Sequence, residues 1–502
     1  MRHRALTRLL VLTAVMALAI AGPTSAGTLA PSPLQNISIP SPFAACDVSG
    51  QGGTNYLNSE VEPWVAVNPA DASNIVAVWQ QDRWSNGGAR GLLTAASHDG
   101  GASWTHSFAH FSSCSGGTAA NGGNYERASD PWVTFSPNGD VYQISLSVNL
   151  FNNFATAILV SKSTDGGDTW SEPTTLIRDT DPFKFNDKES ITADPTNSNF
   201  AYAVWDRTRF PSEMHNLNAL HAFSFRGDTM FSRTTDGGQT WEPARAIFAP
   251  RENKFAIGNQ IVVLPNGTLV DLFTLFQGSG TNSPGVFQAL IRSTDRGVTW
   301  SDPIVISRAK HVGAFDPDTG RPIRAEGSVA DVAVDPSNGN LYAAWQDERF
   351  TKNVDEIAFS MSTDGGFHWS TPIRVNQTPR SSDTAIEQAW VPNVHVARDG
   401  TVGVSYYDFR FNTPAPGATT DYWLVHCHSG CSSRANWGDE VRLTDVSFDM
   451  EQAPAARGPF GFFLGEYEGL EVAGAGGFRP LFAKVNDGQP ANRTDIVTRT
   501  AT

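Results

Sequence analysis

The sequence predicts an all-β chain: a single β-propeller of four-stranded antiparallel blades, with seven blades preferred over six. Three observations carry that reading. One octet recurs five times, a paired-strand pattern recurs seven times, and no long segment keeps a helical period.

The octet is Ser97-His98-Asp99-Gly100-Gly101-Ala102-Ser103-Trp104, and it returns at Ser163–Trp170, Thr234–Trp241, Ser293–Trp300 and Ser362–Trp369. Asp-Gly is a tight-turn signal, because glycine accepts positive φ and the Asp side chain bonds turn amides. The hydroxyl at the seventh position can bond locally as well, and the closing Trp supplies an apolar anchor.

The second repeat is a hairpin. Pro63–Pro69 leads into Ile75–Trp79, Asp130–Phe135 into Val141–Ile144, and Ser190–Pro195 into Ala201–Trp205. Ile261–Leu264 then leads into Thr268–Phe273, Val332–Pro336 into Leu341–Trp345, and Asn393–Val396 into Thr401–Tyr406. Gly469–Val472 with Phe478–Ala483 is the last. These runs are short, rich in Val, Ala and aromatics, and bounded by Asn, Asp, Gly and Pro. Their spacing, roughly 60 to 80 residues, is that of four-stranded propeller blades. In five of them the octet falls on the outer hairpin. The sixth carries a Cys427–Cys431 loop there instead, and the seventh runs out near Asp495–Thr500, where Asn36-Ile37-Ser38-Ile39 could supply a closing strand.

The first residues read as a segment removed before folding. Arg2, Arg4 and Arg8 precede an apolar run from Leu9 to Ile20, and Thr24-Ser25-Ala26 offers a cleavage site, which together make a secretory signal peptide over 1–26. Residues 27–60 then form an N-terminal segment and 61–502 the propeller. Cleavage leaves 33 basic against 51 acidic residues, a net charge of about −18, which disfavours nucleic acid or an anionic membrane as partner. No later apolar run is long enough to cross a bilayer, so an exported, monomeric protein is expected. Four cysteines in an exported chain predict two disulfides, Cys427 with Cys431 and Cys46 with Cys114, and their spacing fits no common zinc pattern.

The octet resembles the Asp-box, or bacterial neuraminidase repeat, of sialidase-like β-propellers, and the resemblance covers most of the chain after residue 60. It implies a secreted glycoside hydrolase acting on terminal, acidic sugars of extracellular glycans or glycoproteins, without a cofactor. The other class open to such a scaffold is a non-catalytic propeller that binds glycan or protein, since a fold does not fix a function. Blade topology places the octets at the end opposite the starts of the inner strands, so chemistry is expected at those starts.

Two sets of candidates follow. Trp79-Gln80-Gln81-Asp82-Arg83, Trp205-Asp206-Arg207, Trp345–Arg349 and Tyr407-Asp408-Phe409-Arg410 each end a second strand with an acid and an arginine. Arg83, Arg207, Arg349 and Arg410 are the substrate-binding candidates, because a guanidinium fork pairs bidentately with a carboxylate. The alternative is that each ties down an acid of its own blade. At the starts of inner strands lie Glu62, Asp130, Glu189 and Glu466-Tyr467-Glu468, with Arg127 and Arg324 nearby. The resemblance implies an Asp general acid/base and a Tyr nucleophile managed by a Glu, so Tyr467, Glu466, Asp130 and Glu62 are the catalytic candidates. A Tyr packed beneath the channel mouth is the competing reading for Tyr467. A pair of channel carboxylates such as Glu62 and Asp130 would serve another glycosidase specificity.

The chain departs from the sialidase pattern at one point. The first inner strand opens Val61-Glu62-Pro63-Trp64, with Glu where that family places the arginine of an aromatic-Arg-Ile-Pro motif, and no Arg-Ile-Pro occurs anywhere. Asp316–Gly320 resembles the start of a calcium loop without its later Glu, so a turn is expected. Asp179, Asp181 and Asp187 offer a structural-calcium set or, more simply, solvated loop acids. The eleven histidines show no metal-ligand spacing, so no metal site is expected. There is no Gly-x-Ser-x-Gly, phosphate loop or His-Glu-x-x-His.

Overall fold

The computed structural model describes residues 28–47, 50–210, 226–251, 253–278, 284–325, 329–456 and 461–502. The expected signal peptide lies outside the described residues. Among them the chain is nearly all β, with short 3-10 turns as its only helical elements, and none of its helices is long and apolar enough to cross a membrane.

Strands pair antiparallel in runs of four along the chain. The first unit is Glu60–Val67, Ile75–Arg83, Ala89–Ser97 and Thr105–Ser107. The second is Arg127–Phe135, Val141–Asn149, Ala155–Ser163 and Thr174–Asp179. The third is Lys184–Ala193, Ala201–Arg209, Arg226–Thr234 and Arg245–Phe248. The fourth is Lys254–Val263, Leu269–Gln277, Gly285–Ser293 and Ile304–Ala309. A fifth begins with Asp331–Val334 and Leu341–Thr351, and a sixth with Ala389–Val396 and Val402–Asp408, followed by Thr419–Cys427 and Asp439–Arg442. The last unit, Gly469–Ala473, Gly477–Val485 and Thr494–Thr498, takes its fourth strand from the other end of the chain, where Gln35–Asn36 pairs with Val497 and Thr498.

The last unit also meets the first. Ser59 bridges to Thr494, whose hydroxyl donates to the Glu60 carbonyl at 2.7 Å. The second strand Ile75–Arg83 is buried throughout, first in the apolar run Ile75–Trp79 and then at Gln80, Gln81, Asp82 and Arg83, which are buried as polar groups. Trp79, Trp205 and Trp345, each on a second strand, are fully buried, each with its indole N–H satisfied, by Gln81, Asn186 and Asp347. Both expected disulfides are present, Cys46–Cys114 and Cys427–Cys431.

The octets form one hydrogen-bonded turn repeated five times. In the second copy Asp165 Oδ1 accepts from the Ser163 hydroxyl (2.7 Å) and the Thr169 amide (3.0 Å), and the Gly167 amide donates to Ser163 Oγ (2.9 Å). The same bonds centre on Asp99, Asp236, Asp295 and Asp364. The fifth-position glycine lies against the preceding unit. A Cβ on Gly167 would stand 2.7 Å from Val76 of the first unit, and one on Gly101 of the first unit would meet Arg479 of the last.

These contacts give a paired expectation. Gly100→Ala adds only left-handed strain (φ 76°) with open space around it, and costs about 1 kcal/mol. Gly167→Ala adds strain (φ 102°) and the clash with Val76, and costs about 2–4 kcal/mol. Thermal unfolding of the two variants should rank them in that order.

Candidate active site

Five inner strands share a defect near their start. The pairing register slips by one residue, so that two residues oppose one across the hairpin. Glu62-Pro63 faces Trp79 in this way, and Asp130-Pro131, Lys188-Glu189, Gly258-Asn259 and Val391-Pro392 occupy the same place in their units. Proline fits because a bulged position has no ladder bond to lose. The first residue of each pair has positive φ: 53° at Glu62, 51° at Asp130, 51° at Lys188, 69° at Gly258 and 50° at Val391. Such backbone is uncommon for residues other than Gly, Asn and Asp and costs about 1–3 kcal/mol per residue.

The bulges of the first three units bring Glu62, Asp130 and Lys188 together, and the segment leading into the last unit adds Glu466. One oxygen from each of Glu62, Asp130 and Glu466 lies within 4.8 Å of the others. The Lys188 ammonium sits among them, 3.1 Å from Asp130 Oδ1, 3.9 Å from Glu62 Oε1 and paired with Glu466. Glu466 is held from its other side by Arg324 Nε at 2.6 Å. Gln80 donates to Glu62 and accepts from Arg83 Nη1 at 2.5 Å, and Ser129 donates to Asp130 Oδ2 at 2.6 Å. The guanidiniums of Arg83 and Arg324 lie against the ring of Phe463, at 4.4 and 5.0 Å.

This environment drives the two carboxyls apart. Burial, reinforced by the charge of Asp130, pushes Glu62 up to about 7. Burial alone would also raise Asp130, but the charge of Lys188 and the bond from Ser129 override it and hold Asp130 below the ordinary value. Glu189, buried without a hydrogen-bond partner on either carboxyl oxygen, is raised well above its usual range by burial and then by Asp130. Burial lowers Arg83 to about 10.

Of the residues singled out from sequence, Glu62, Asp130 and Glu466 converge, and Arg83 faces them. Tyr467 lies beside these acids, packed on aromatic rings. Its hydroxyl donates to the Pro131 carbonyl at 3.3 Å, and its ring packs on Trp64 and Trp132, which stack on each other. Burial and the charges of Glu62, Asp130 and Glu189 raise it well above the usual tyrosine range, so it stays neutral, whereas a phenolate needs cations around it. Glu468 turns away to Tyr407 and the Ala483 amide.

Three of the four arginine candidates are likewise engaged elsewhere. Arg207 forks onto Asp179 of the preceding unit (2.7 and 2.5 Å). Arg349 is closed on Asp347 at 2.6 Å, and Arg410 on Asp408 at 2.6 Å and Glu440 at 2.5 Å, with its guanidinium 3.6 Å from the Trp423 ring centre. Arg127 is spent on the carbonyls of Gly52 and Gly87 and the side chains of Gln51 and Asn86. Asp179 is thus an ion-pair partner of Arg207, and Asp181 pairs with Lys184. Asp316 caps its own turn through the amides of Asp318 and Thr319.

Sequence reasoning missed Lys188 by one position, choosing Glu189. The available signal was alignment with Glu62-Pro63-Trp64 and Asp130-Pro131-Trp132, which places Lys188, not Glu189, opposite the two acids.

No protein-family model and no curated protein matches the chain. Among solved structures it is similar to a Hadza microbial sialidase, at 15% identity and a TM-score of 0.47, over 86% of this chain and 73% of that one. It is similar to an α-L-arabinanase of Penicillium chrysogenum solved with arabinobiose, at 13% identity and 0.43, over 88% and 92%. It also resembles the intramolecular trans-sialidase of Ruminococcus gnavus, at 13% and 0.43, over 76% and 94%.

Lys188→Met tests the electrostatic core of the site. Removing the one buried ammonium from among three carboxylates should destabilise the fold by about 3–5 kcal/mol near neutral pH. Asp130 then loses the charge that lowers it, so its folded value rises above the unfolded one. Stability of the variant should therefore fall as pH rises from 5 to 8, as read by urea unfolding at both ends.

Proposed function

We propose that this chain is a glycoside hydrolase whose working pair is Glu62 and Asp130. The observation that carries this reading is the division of protonation between two carboxyls whose oxygens lie within 4.8 Å: Glu62 raised to about 7, Asp130 depressed. Environments that separate two acids in this way define an acid and a base. Oxygens within 4.8 Å of each other are closer than the spacing of about 6.5–9.5 Å that leaves room for a water in inverting enzymes, so the retaining geometry fits better.

In this scheme Glu62, which still carries its proton on about half of the molecules near pH 7, gives it to the glycosidic oxygen as the C–O bond breaks. The Asp130 carboxylate takes the anomeric carbon to form a glycosyl ester. Glu62, now a base, removes a proton from the incoming water as its oxygen bonds the anomeric carbon, the ester C–O bond breaks, and Asp130 leaves as carboxylate. Lys188 keeps Asp130 ionised before it attacks and again after the ester is cleaved. Arg83 makes no carboxylate contact within 4 Å among the described residues, which leaves its fork available to an acidic sugar. The propeller would close as seven blades, the first five carrying Asp-boxes, and the octet contact between Gly101 and Arg479 supports that closure. Export after removal of 1–26 suits the two disulfides.

One observation favours a second reading. Glu62 and Asp130 are only 1% and 5% exposed, as members of a closed ion network would be in a non-catalytic propeller that binds glycan or protein.

Turnover of fluorogenic sialosides, followed by neutral glycosides, separates the two. Glu62→Gln and Asp130→Asn should each lower kcat by about 10²-fold or more with the fold intact by circular dichroism. Tyr467→Phe should stay within a few-fold of the parent. The kcat/KM profile should fall above pH about 7 as Glu62 loses its proton, and again in acid as Asp130 gains one. Absence of turnover on every glycoside, with glycan binding retained, would establish the second reading.

A further inference from the structure

The sixth unit lacks the octet that staples the outer hairpin in the first five, and a different set of side chains stands in its place. The strand Thr419–Cys427 ends in His426-Cys427-His428, where the other units begin their octet. Alternation along the strand puts the two histidines on one face and Cys427 on the other, where it bonds Cys431. The pairing register sets Asp439 of Asp439–Arg442 directly opposite His426. The result is a cluster in which one ligand-capable atom each of His426, His428 and Asp439 lies within 4.8 Å of the other two.

We propose that His426, His428 and Asp439 bind a divalent transition-metal ion of the zinc class, which fastens the outer strand of the sixth unit to its third strand. Two imidazole nitrogens and one carboxylate oxygen suit zinc, nickel or cobalt rather than calcium or magnesium, which prefer all-oxygen sets. His426 is 2% exposed, yet neither of its ring nitrogens has a hydrogen bond of normal geometry, an expense that a metal bond removes. The Thr401 hydroxyl, 2.9 Å from His428 Nδ1, orients the second ring. Tetrahedral zinc sets its ligand atoms about 3.3 Å apart, so the cluster needs a contraction of about 1.5 Å at most. The His428 ring is exposed and the Asp439 side chain is 45% exposed, which lets both swing inward. The acid cluster at Glu62, Asp130 and Glu466 offers no comparable site, because the Lys188 ammonium already occupies its centre.

Isothermal titration of zinc chloride into chelator-treated, desalted full chain tests this, with both disulfides intact. The expected result is one zinc per chain, with no heat from calcium chloride. At zinc 100-fold above Kd, Tm should rise by about 2–3 °C. His428→Ala, at an exposed position, and Asp439→Asn should each weaken zinc binding by at least about 100-fold while keeping the metal-free Tm within a few degrees of the parent's. Absence of stoichiometric binding overturns the proposal, and so does zinc binding that survives both substitutions unchanged.

Discussion

One extra residue near the start of an inner strand decides where the charged groups of this protein meet. At each of Glu62, Asp130 and Lys188 the bulge turns the backbone into the left-handed region, and the three side chains meet in one buried cluster. Three strained residues at about 1–3 kcal/mol each are sustained by the covered second strands behind them, whose buried tryptophans fix the hairpins. Gly258 and Val391 keep the same bulge without a charge, so the defect belongs to the scaffold and the chemistry to whichever residue occupies it.

Once gathered, the charges define each other. Three buried acids around one lysine cannot all ionise cheaply, and the lysine is nearer to Asp130 than to Glu62. Asp130 therefore keeps the negative charge and Glu62 the proton. Arg324 draws on Glu466 from the far side, which leaves the Glu62–Asp130 pair as the asymmetric one. Tyr467 lies within the same negative field, which together with burial raises it well above the usual tyrosine range, and its ring packs on Trp132.

Much of the architecture was legible because turns and periodicity are local. Four octets carry Asp-Gly and the fourth in order has Asp295-Arg296, yet all five fold into the same turn, and both cysteine pairings follow from the chain. The site was legible only in part. Glu62, Asp130 and Glu466 could be placed at strand starts, but a one-residue slip leaves no local trace except proline inside a strand, at Pro63 and Pro131. Without a proline, Lys188 passed unnoticed beside Glu189. The fates of Arg207, Arg349 and Arg410 depended on acids such as Asp179 and Glu440 that only strand packing brings near. His426 and Asp439 are joined by register across a turn, which spacing along the chain does not reveal.

The central claim is that Lys188 divides the protonation of Glu62 and Asp130. Carboxyl-carbon NMR titration of the folded protein, assigned with Glu62→Gln and Asp130→Asn, measures it directly. The account predicts one resonance titrating near 7 that vanishes with Glu62→Gln, and a second, lost with Asp130→Asn, that titrates below the ordinary aspartate value. Two carboxyls titrating together in the usual range of about 4 would contradict it.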